Sequence, residues 1–209
     1  MNTIQQKPQW VDSNGFAFRF EPVEPPTIVP TLTGNGYEAR YLVVDPDAER
    51  PDAWGNDDLV LVHYHRDFEV TRDALVTQDE VAALSRGETL NEHDHRHPDL
   101  LTTYWIFPVS SYIHSGVVLS LNSSFIMDGQ GWDTSHVGMA LVAKKTWPDE
   151  AKAREAAQSL IEEWNQYLSG DVYGIVKETY DAKKTPTTHD IICGFYGEKY
   201  ALEALKTDI

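Results

Sequence analysis

Residues 112 to 144 read YIHSGVVLSLNSSFIMDGQGWDTSHVGMALVAK and set His114, Ser115, Asp133, Ser135 and His136 between two apolar runs. Hydroxyl, imidazole and carboxylate are the groups of a nucleophilic triad, which needs the hydroxyl within about 3 Å of a ring nitrogen and the carboxylate on the other nitrogen. His114 and Ser115 are adjacent, so on a strand their side chains point to opposite faces and cannot pair. Ser120 replaces Ser115 only if the strand bends or bulges. His114 and Asp133 with His65 or His136 would instead form an acid-base pair or a two-histidine, one-carboxylate metal site suited to zinc or ferrous iron. No HExxH-like spacing accompanies them, and no metal or other cofactor is expected. His65, Tyr112, His114, Ser115, Trp132 and Asp133 are also the candidate lining of a small-molecule pocket, an aromatic wall carrying few polar groups. The same residues can simply build the fold. A His114 imidazole bonded to Asp133 beneath the Trp132 ring would clamp a loop to a sheet, while Gly116, Gly131 and Gly138 would allow close backbone approach or positive φ. This structural use is the one adopted here.

The elements that must hold this stretch are legible in part. YEARYLVVD and DDLVLVHYH are short, β-branched and bounded by Asp, Pro or Gly, as strands are. LLTTYWIFPVSSYIHSGVVLSL reads as two strands or one bent strand, HVGMALVAKK as another, and DVYGIVKETY and HDIICGFYG as two more around the turn-rich KKTPTT. TQDEVAALSRG carries Thr77 and Glu80 at capping-box spacing before a glycine stop, which predicts a short helix. TWPDEAKAREAAQSLIEEWNQYLSG predicts the longest helix, over about 148–168. Ala153, Ala156, Ala157, Leu160, Ile161, Trp164, Tyr167 and Leu168 fall on one face of it, and Arg154, Glu155, Gln158, Glu162 and Gln166 on the other. EKYALEALK predicts a terminal helix. Irregular insertion of helices among strands points to an α+β fold: one domain over 38–209, a largely antiparallel mixed sheet under the long helix. Residues 1–37, proline-punctuated in EPVEPPTIVP, read as a poorly ordered or surface-wrapping arm.

With 41% hydrophobic residues, six Trp and ten Tyr, the 209-residue chain has the composition of a folded protein. Its single cysteine, Cys193, has no intramolecular partner and is read as a small buried hydrophobe. The start lacks a basic segment and an apolar h-region, and no stretch offers 18 uninterrupted apolar residues, so a cytoplasmic, non-membrane protein is expected. A formal charge of -16 repels phosphate backbones and anionic lipid, which argues against direct nucleic-acid binding and for a basic protein partner. The densest acidic run, DPDAERPDAWGNDD, holds Asp45, Asp47, Glu49, Asp52, Asp57 and Asp58 against Arg50 alone. It lacks the glycine and distal glutamate of an EF-hand loop and is read as a solvated acidic surface. His93, His95 and His97 alternate before Pro98 and are read as a loop with adventitious metal affinity.

The order of five short motifs carries a resemblance. PDAWGNDDLVLVHYHRDF, YIHSGVVLSL, GWDTSHVGMALVAKK, YLSGDVYGIVKE and CGFYG, across residues 38 to 200, resemble a family of uncharacterised bacteriophage and mobile-element proteins with an H-S-G, W-D-S-x-x-V-G, Y-L-x-G-x-V-Y-G and G-F-Y-G series. The matching positions are His65 and Arg66; His114, Ser115, Gly116 and Ser120; Trp132, Asp133, Val137 and Gly138. In the C-terminal part they are Tyr167, Leu168, Gly170, Val172, Tyr173, Gly174, Gly194, Phe195, Tyr196 and Gly197. The chain departs at Pro51-Asp52 and at Thr134-Ser135-His136, where the family has Pro-Arg and Ser-Gly-Gln; the second departure counts against His136 as an essential ligand. The resemblance implies a phage or mobile-element origin and no particular activity.

The functional expectation is a non-enzymatic acidic accessory protein that binds a host protein, with DNA-like charge mimicry as one version. A hydrolase or metal-dependent enzyme using His114 and Asp133, and a small-molecule binding or sequestering protein, are the alternatives. Oligomeric state is open. If His114 and Asp133 are structural, His114→Ala and Asp133→Ala each lower the melting temperature by several degrees, the effect of a lost buried hydrogen-bond partner. A fully stable but functionally dead variant, read by calorimetry beside a binding assay, would overturn that use.

Overall fold

The structure, a computed structural model, describes residues 10–32, 34–53, 55–64, 76–85, 100–113, 116–121 and 134–207. The fold is α+β, with antiparallel sheets and one long helix. The chain forms two compact units, residues 1–49 with 170–209, and residues 50–169.

In the first unit, β1 (Trp10–Val11) and β2 (Ala17–Phe18) form a small hairpin. β3 (Thr27–Pro30), β4 (Gly36–Val44), β9 (Val172–Asp181) and β10 (Pro186–Tyr196) make a sheet in the order β10-β9-β4-β3. Alternation sorts β4 and β9 into two faces. Ala39, Tyr41, Val43, Val176 and Tyr180 form one core with Phe16 and Phe18 from the hairpin. Leu42 and Ile175 meet Ala201, Leu202, Ala204 and Leu205 of α4 (Glu198–Lys206) on the other. The expectation that regular structure begins near Tyr37 is therefore corrected. Residues 10–30 supply three strands, and Phe16 and Phe18 are buried because the Asn14-Gly15 turn, held by Asp12 Oδ1 accepting from the Asn14 and Phe16 amides, folds them back. Cys193 is a second correction: it lies exposed on β10, the outermost strand of its sheet.

In the second unit the sheet order is β5-β8-β6-β7, from β5 (Leu59–His63), β6 (Tyr104–Ile113), β7 (Val117–Leu121) and β8 (Thr134–Ala143). The helix α3 (Glu150–Ser169) covers one face. Ala153, Ala157, Leu160, Ile161 and Trp164 pack on Leu61, Phe107, Val109, Leu119, Val137, Ala140 and Val142, as the apolar stripe predicts. Asp149 Oδ1 accepts from the Lys152 amide at the helix start, and Gly170 follows the last turn at φ +74. Asn165 reaches sideways from α3 to β7, where its carbonyl accepts from the Leu119 amide at 2.7 Å and its amide donates to the Leu119 carbonyl at 3.0 Å. On the opposite face Val62, Met139 and Leu141 pack with Val76, Val81 of α1 (Gln78–Ser85) and Leu100 of α2 (Leu100–Thr103). The Thr77–Glu80 capping box forms in both directions. No helix among the described residues is long and apolar enough to cross a membrane.

One β-bulge decides how the polar end of this sheet is arranged. Val109 pairs with Gly138 but Ser110 with His136, so Val137 is the extra residue in β8. Gly138 is obligatory there: a Cβ would overlap the Val62 carbonyl oxygen and lie 3.0 Å from His63 Cα. At Gly116 a Cβ would meet nothing within 4 Å. Gly138→Ala is expected to lower the melting temperature by on the order of 10 °C or to prevent folding, and Gly116→Ala to leave it within about 2 °C, in parallel thermal melts.

Candidate functional site

The sheet of the second unit brings the two described flanks of the opening stretch together. Tyr112 of β6 pairs with Val118 of β7 and Thr134 of β8, and Ser111 with Leu119 and Ser135. Beyond the bulge, buried Ser110 shares a hydrogen bond with His136 Nδ1 at 3.0 Å, and buried Ser111 shares one with Ser135 at 3.2 Å. Both serines sit in the apolar strand WIFPVSSYI, where a hydroxyl needs a partner because its desolvation is otherwise uncompensated. The two pairs fall on opposite faces of the sheet, as consecutive residues must.

Of the six pocket candidates, Tyr112 is half-buried in β6, while His65, His114, Ser115, Trp132 and Asp133 lie outside the described residues, as do His93, His95 and His97. The described imidazole nearest to chemistry is that of His136. Its contact with Ser110 has the length of a nucleophile-base pair, yet Ser110 is wholly buried, so no substrate atom reaches its oxygen. On the α3 face, His63 lies edge-on to Trp164 with ring centroids 5.4 Å apart, and Arg50 lies over the same indole at 5.5 Å. The cavity between Leu61, His63, Val109, Leu119, Val137, Trp164 and Leu168 has a volume of about 10 Å³, room for a single water at most. Among the described residues no three His, Cys, Asp or Glu side chains converge as a metal site would require. Ser135 and His136 were named from the sequence, but their partners Ser110 and Ser111 were not; the signal for these was a pair of serines interrupting an apolar strand.

The acidic candidates divide between the units. Asp45, Asp47 and Glu49 belong to the first, and Asp52, Asp57 and Asp58 to the second. Asp52 takes two hydrogen bonds from Arg50, at 2.9 and 2.6 Å. Asp58 accepts from Lys145 at 2.6 Å and from the Thr146 hydroxyl at 2.7 Å, and these bonds hold its carboxyl below the ordinary range. Two of the six acids are thus spent inside the chain, while Asp47, Glu49 and Asp57 are exposed. Glu155 and Glu162, on the polar face that the sequence assigns to α3, are exposed, as is Glu163, and spacings of seven and eight put the three on one side of the helix. Although Glu163 reaches solvent, desolvation by the protein around its carboxyl raises it above its usual range.

The strongest electrostatic feature was not anticipated at all. Glu178 of β9 is fully buried and accepts hydrogen bonds on one oxygen from the Tyr41 hydroxyl at 2.8 Å and the Tyr180 hydroxyl at 2.6 Å. Arg19 Nε lies 3.2 Å from the other oxygen, an ion pair whose angle does not make it a hydrogen bond. Burial, and then the adjacent Glu178 carboxylate, push both phenols far above their ordinary range. A folded-state pKa raised above the unfolded value adds stability that is fully present below the unfolded pKa and is lost as pH rises past it. Denaturant melts should therefore show stability falling above about pH 10, with a shallower fall in Tyr180→Phe, and equal slopes would contradict the assignment.

Set against family models, curated proteins and solved structures, the chain matches none, so its functional reading rests on these residues themselves.

Proposed function

We propose that this chain is a non-enzymatic acidic binding protein that occupies a basic surface of another protein. The resemblance to phage and mobile-element proteins makes a host protein the partner of choice. One observation carries the reading: the described cations are largely engaged within the chain, whereas many acids face solvent. Arg50 is held by Asp52, Lys145 by Asp58, Arg40 and Lys177 by Glu38, and Arg19 by Glu178. Lys144, Arg154 and Lys184 lie over the rings of Trp105, Phe107 and Phe16. Asp47, Glu49, Asp57, Glu155, Glu162 and Glu163 remain outward in a chain of net charge -16. Such an excess steers a cationic partner into encounter and fixes its orientation. On α3 it would stand in for the phosphates that a DNA-binding protein meets.

Affinity capture from a lysate of the source cell tests this. A stoichiometric basic protein should be retained at about 50 mM salt and released by about 500 mM, where the Debye length has shrunk to a few ångströms. The triple change Glu155→Gln, Glu162→Gln, Glu163→Gln should weaken retention at low salt. Salt-insensitive capture, or no partner at either salt, would sink the proposal.

A further inference from the structure

The turn that folds the β1–β2 hairpin back onto its sheet carries a reactive pair of residues. Asn14 and Gly15 are both exposed at its tip. In an asparagine-glycine pair the glycine amide nitrogen can close a five-membered ring on the asparagine side chain, because no Cβ stands in the way. At Gly15, with φ +82, the place of a Cβ meets nothing within 4 Å, so the approach is open. The chain has a second such pair, Asn35-Gly36, but its glycine is buried in β4 and paired with Asp181 of β9. Two pairs that look alike in sequence are thus placed differently by the fold.

The contacts around Asn14 favour the ring closure. Lys184 Nζ donates to the Asn14 backbone carbonyl at 2.6 Å and lies over the Phe16 ring at 4.8 Å. Among the described residues Lys184 is the one non-glycine at positive φ, +63, a conformation that costs a side chain steric strain. It is held there by the turn between β9 and β10, where Asp181 Oδ1 accepts from the Lys183 and Thr185 amides. A cation on a carbonyl oxygen stabilises the negative charge that develops when the next amide loses its proton, so Lys184 eases deprotonation of the Gly15 nitrogen. Asp12 Oδ2 accepts from Asn14 Nδ2 at 3.5 Å and keeps the carboxamide beside the turn. The bond that must open first is the one from the Gly15 amide to the Asp12 carbonyl, at 3.1 Å.

We infer that Asn14 is a self-modifying site, converted to aspartate and isoaspartate by Gly15 with the help of Lys184. The Gly15 nitrogen gives up its proton and bonds to Asn14 Cγ, the Cγ–Nδ2 bond breaks, and Nδ2 leaves as ammonia. Water then opens the imide at either carbonyl, so one water is consumed for each ammonia released and no oxidant or reductant takes part. The isoaspartate product adds a backbone atom to the turn, and both products set a new carboxylate against Asp12. The Asn14 and Phe16 amides then lose their fixed place on Asp12 Oδ1, and Phe16 and Phe18 lose what folds them into the aromatic core. The reaction is a clock on the first unit, which contains all of these residues, and it is independent of the partner-binding proposal.

Ageing the full chain at physiological temperature and mildly alkaline pH, with peptide mapping by mass spectrometry at intervals, decides it. The Asn14 peptide should gain one dalton, with an isoaspartate form resolved beside the aspartate one, about fivefold or more faster than the Asn35 peptide. Lys184→Met should slow Asn14 about fivefold and leave Asn35 unchanged. Mere loosening of the hairpin by that substitution would speed Asn14, so the direction of the change separates the two effects. The aged parent should melt several degrees lower than fresh protein, and Asn14→Gln, whose side chain must close a larger ring, should keep its melting temperature. The inference falls if Asn14 converts no faster than Asn35, if Lys184→Met fails to slow it, or if the converted protein melts like the fresh one.

Discussion

The first unit depends on one buried charge. Glu178 has no exposure to solvent, and a carboxylate there is tolerable only because Tyr41, Tyr180 and Arg19 converge on it. The three partners come from β4, from β9 itself and from the segment after β2, so the cluster ties the hairpin to the sheet at the point where the aromatic core is densest. Phe18 lies edge-on to Tyr41 and to Tyr180, with centroids 5.3 and 5.8 Å away. Removing one partner of such a charge costs on the order of 3–5 kcal/mol, a large part of a small unit's total stability. Replacing the whole set with apolar residues of equal volume would cost far less. The network therefore fixes which residues meet more than it adds stability, selecting one hairpin placement among many greasy ones.

The second unit is organised by geometry. Its sheet is covered on both faces, so its strands are apolar almost throughout and the two serines of β6 stand out as obligations to be met. The extra residue at Val137 changes the facing of everything beyond it. Without it, Val137 would turn away from the α3 core, and His136 would come opposite Ser111 on the α3 face and lose Ser110. One glycine, admitting the β5 backbone where no side chain fits, makes the arrangement possible.

Local rules read the helices well. Thr77 with Glu80, and the stripe from Ala153 to Leu168, are patterns whose physical cause lies within a few residues, and both helices form where the pattern places them. The strands were legible as segments, but their distribution over two sheets was not. β4 joins β9 across more than a hundred residues, and nothing in either segment names its partner. Phe16 and Phe18 were missed because proline-rich neighbours suggested an arm, although alternating Phe16, Phe18 and Phe20 after Asn14-Gly15 was a hairpin signal in plain view. Cys193 was misplaced for a similar reason: an apolar run looks buried until its strand proves to be outermost. Tyr112 is the one pocket candidate among the described residues, and the buried glutamate was invisible because burial of a charge is decided by partners far away in sequence.

Asn165 has a consequence beyond holding α3 in place. β7 ends its sheet, and an end strand normally offers its free backbone groups to any extended chain that drifts past. The Asn165 carboxamide mimics the peptide group that such a chain would bring, and it occupies both groups of Leu119 at the middle of the strand. The helix thus acts as a stopper against runaway strand addition, the first step toward fibrils. Among the described residues no side chain plugs β10 in this way, and Ile191 and Ile192 are open to solvent, so strand addition should favour the outer edge of β10 over that of β7.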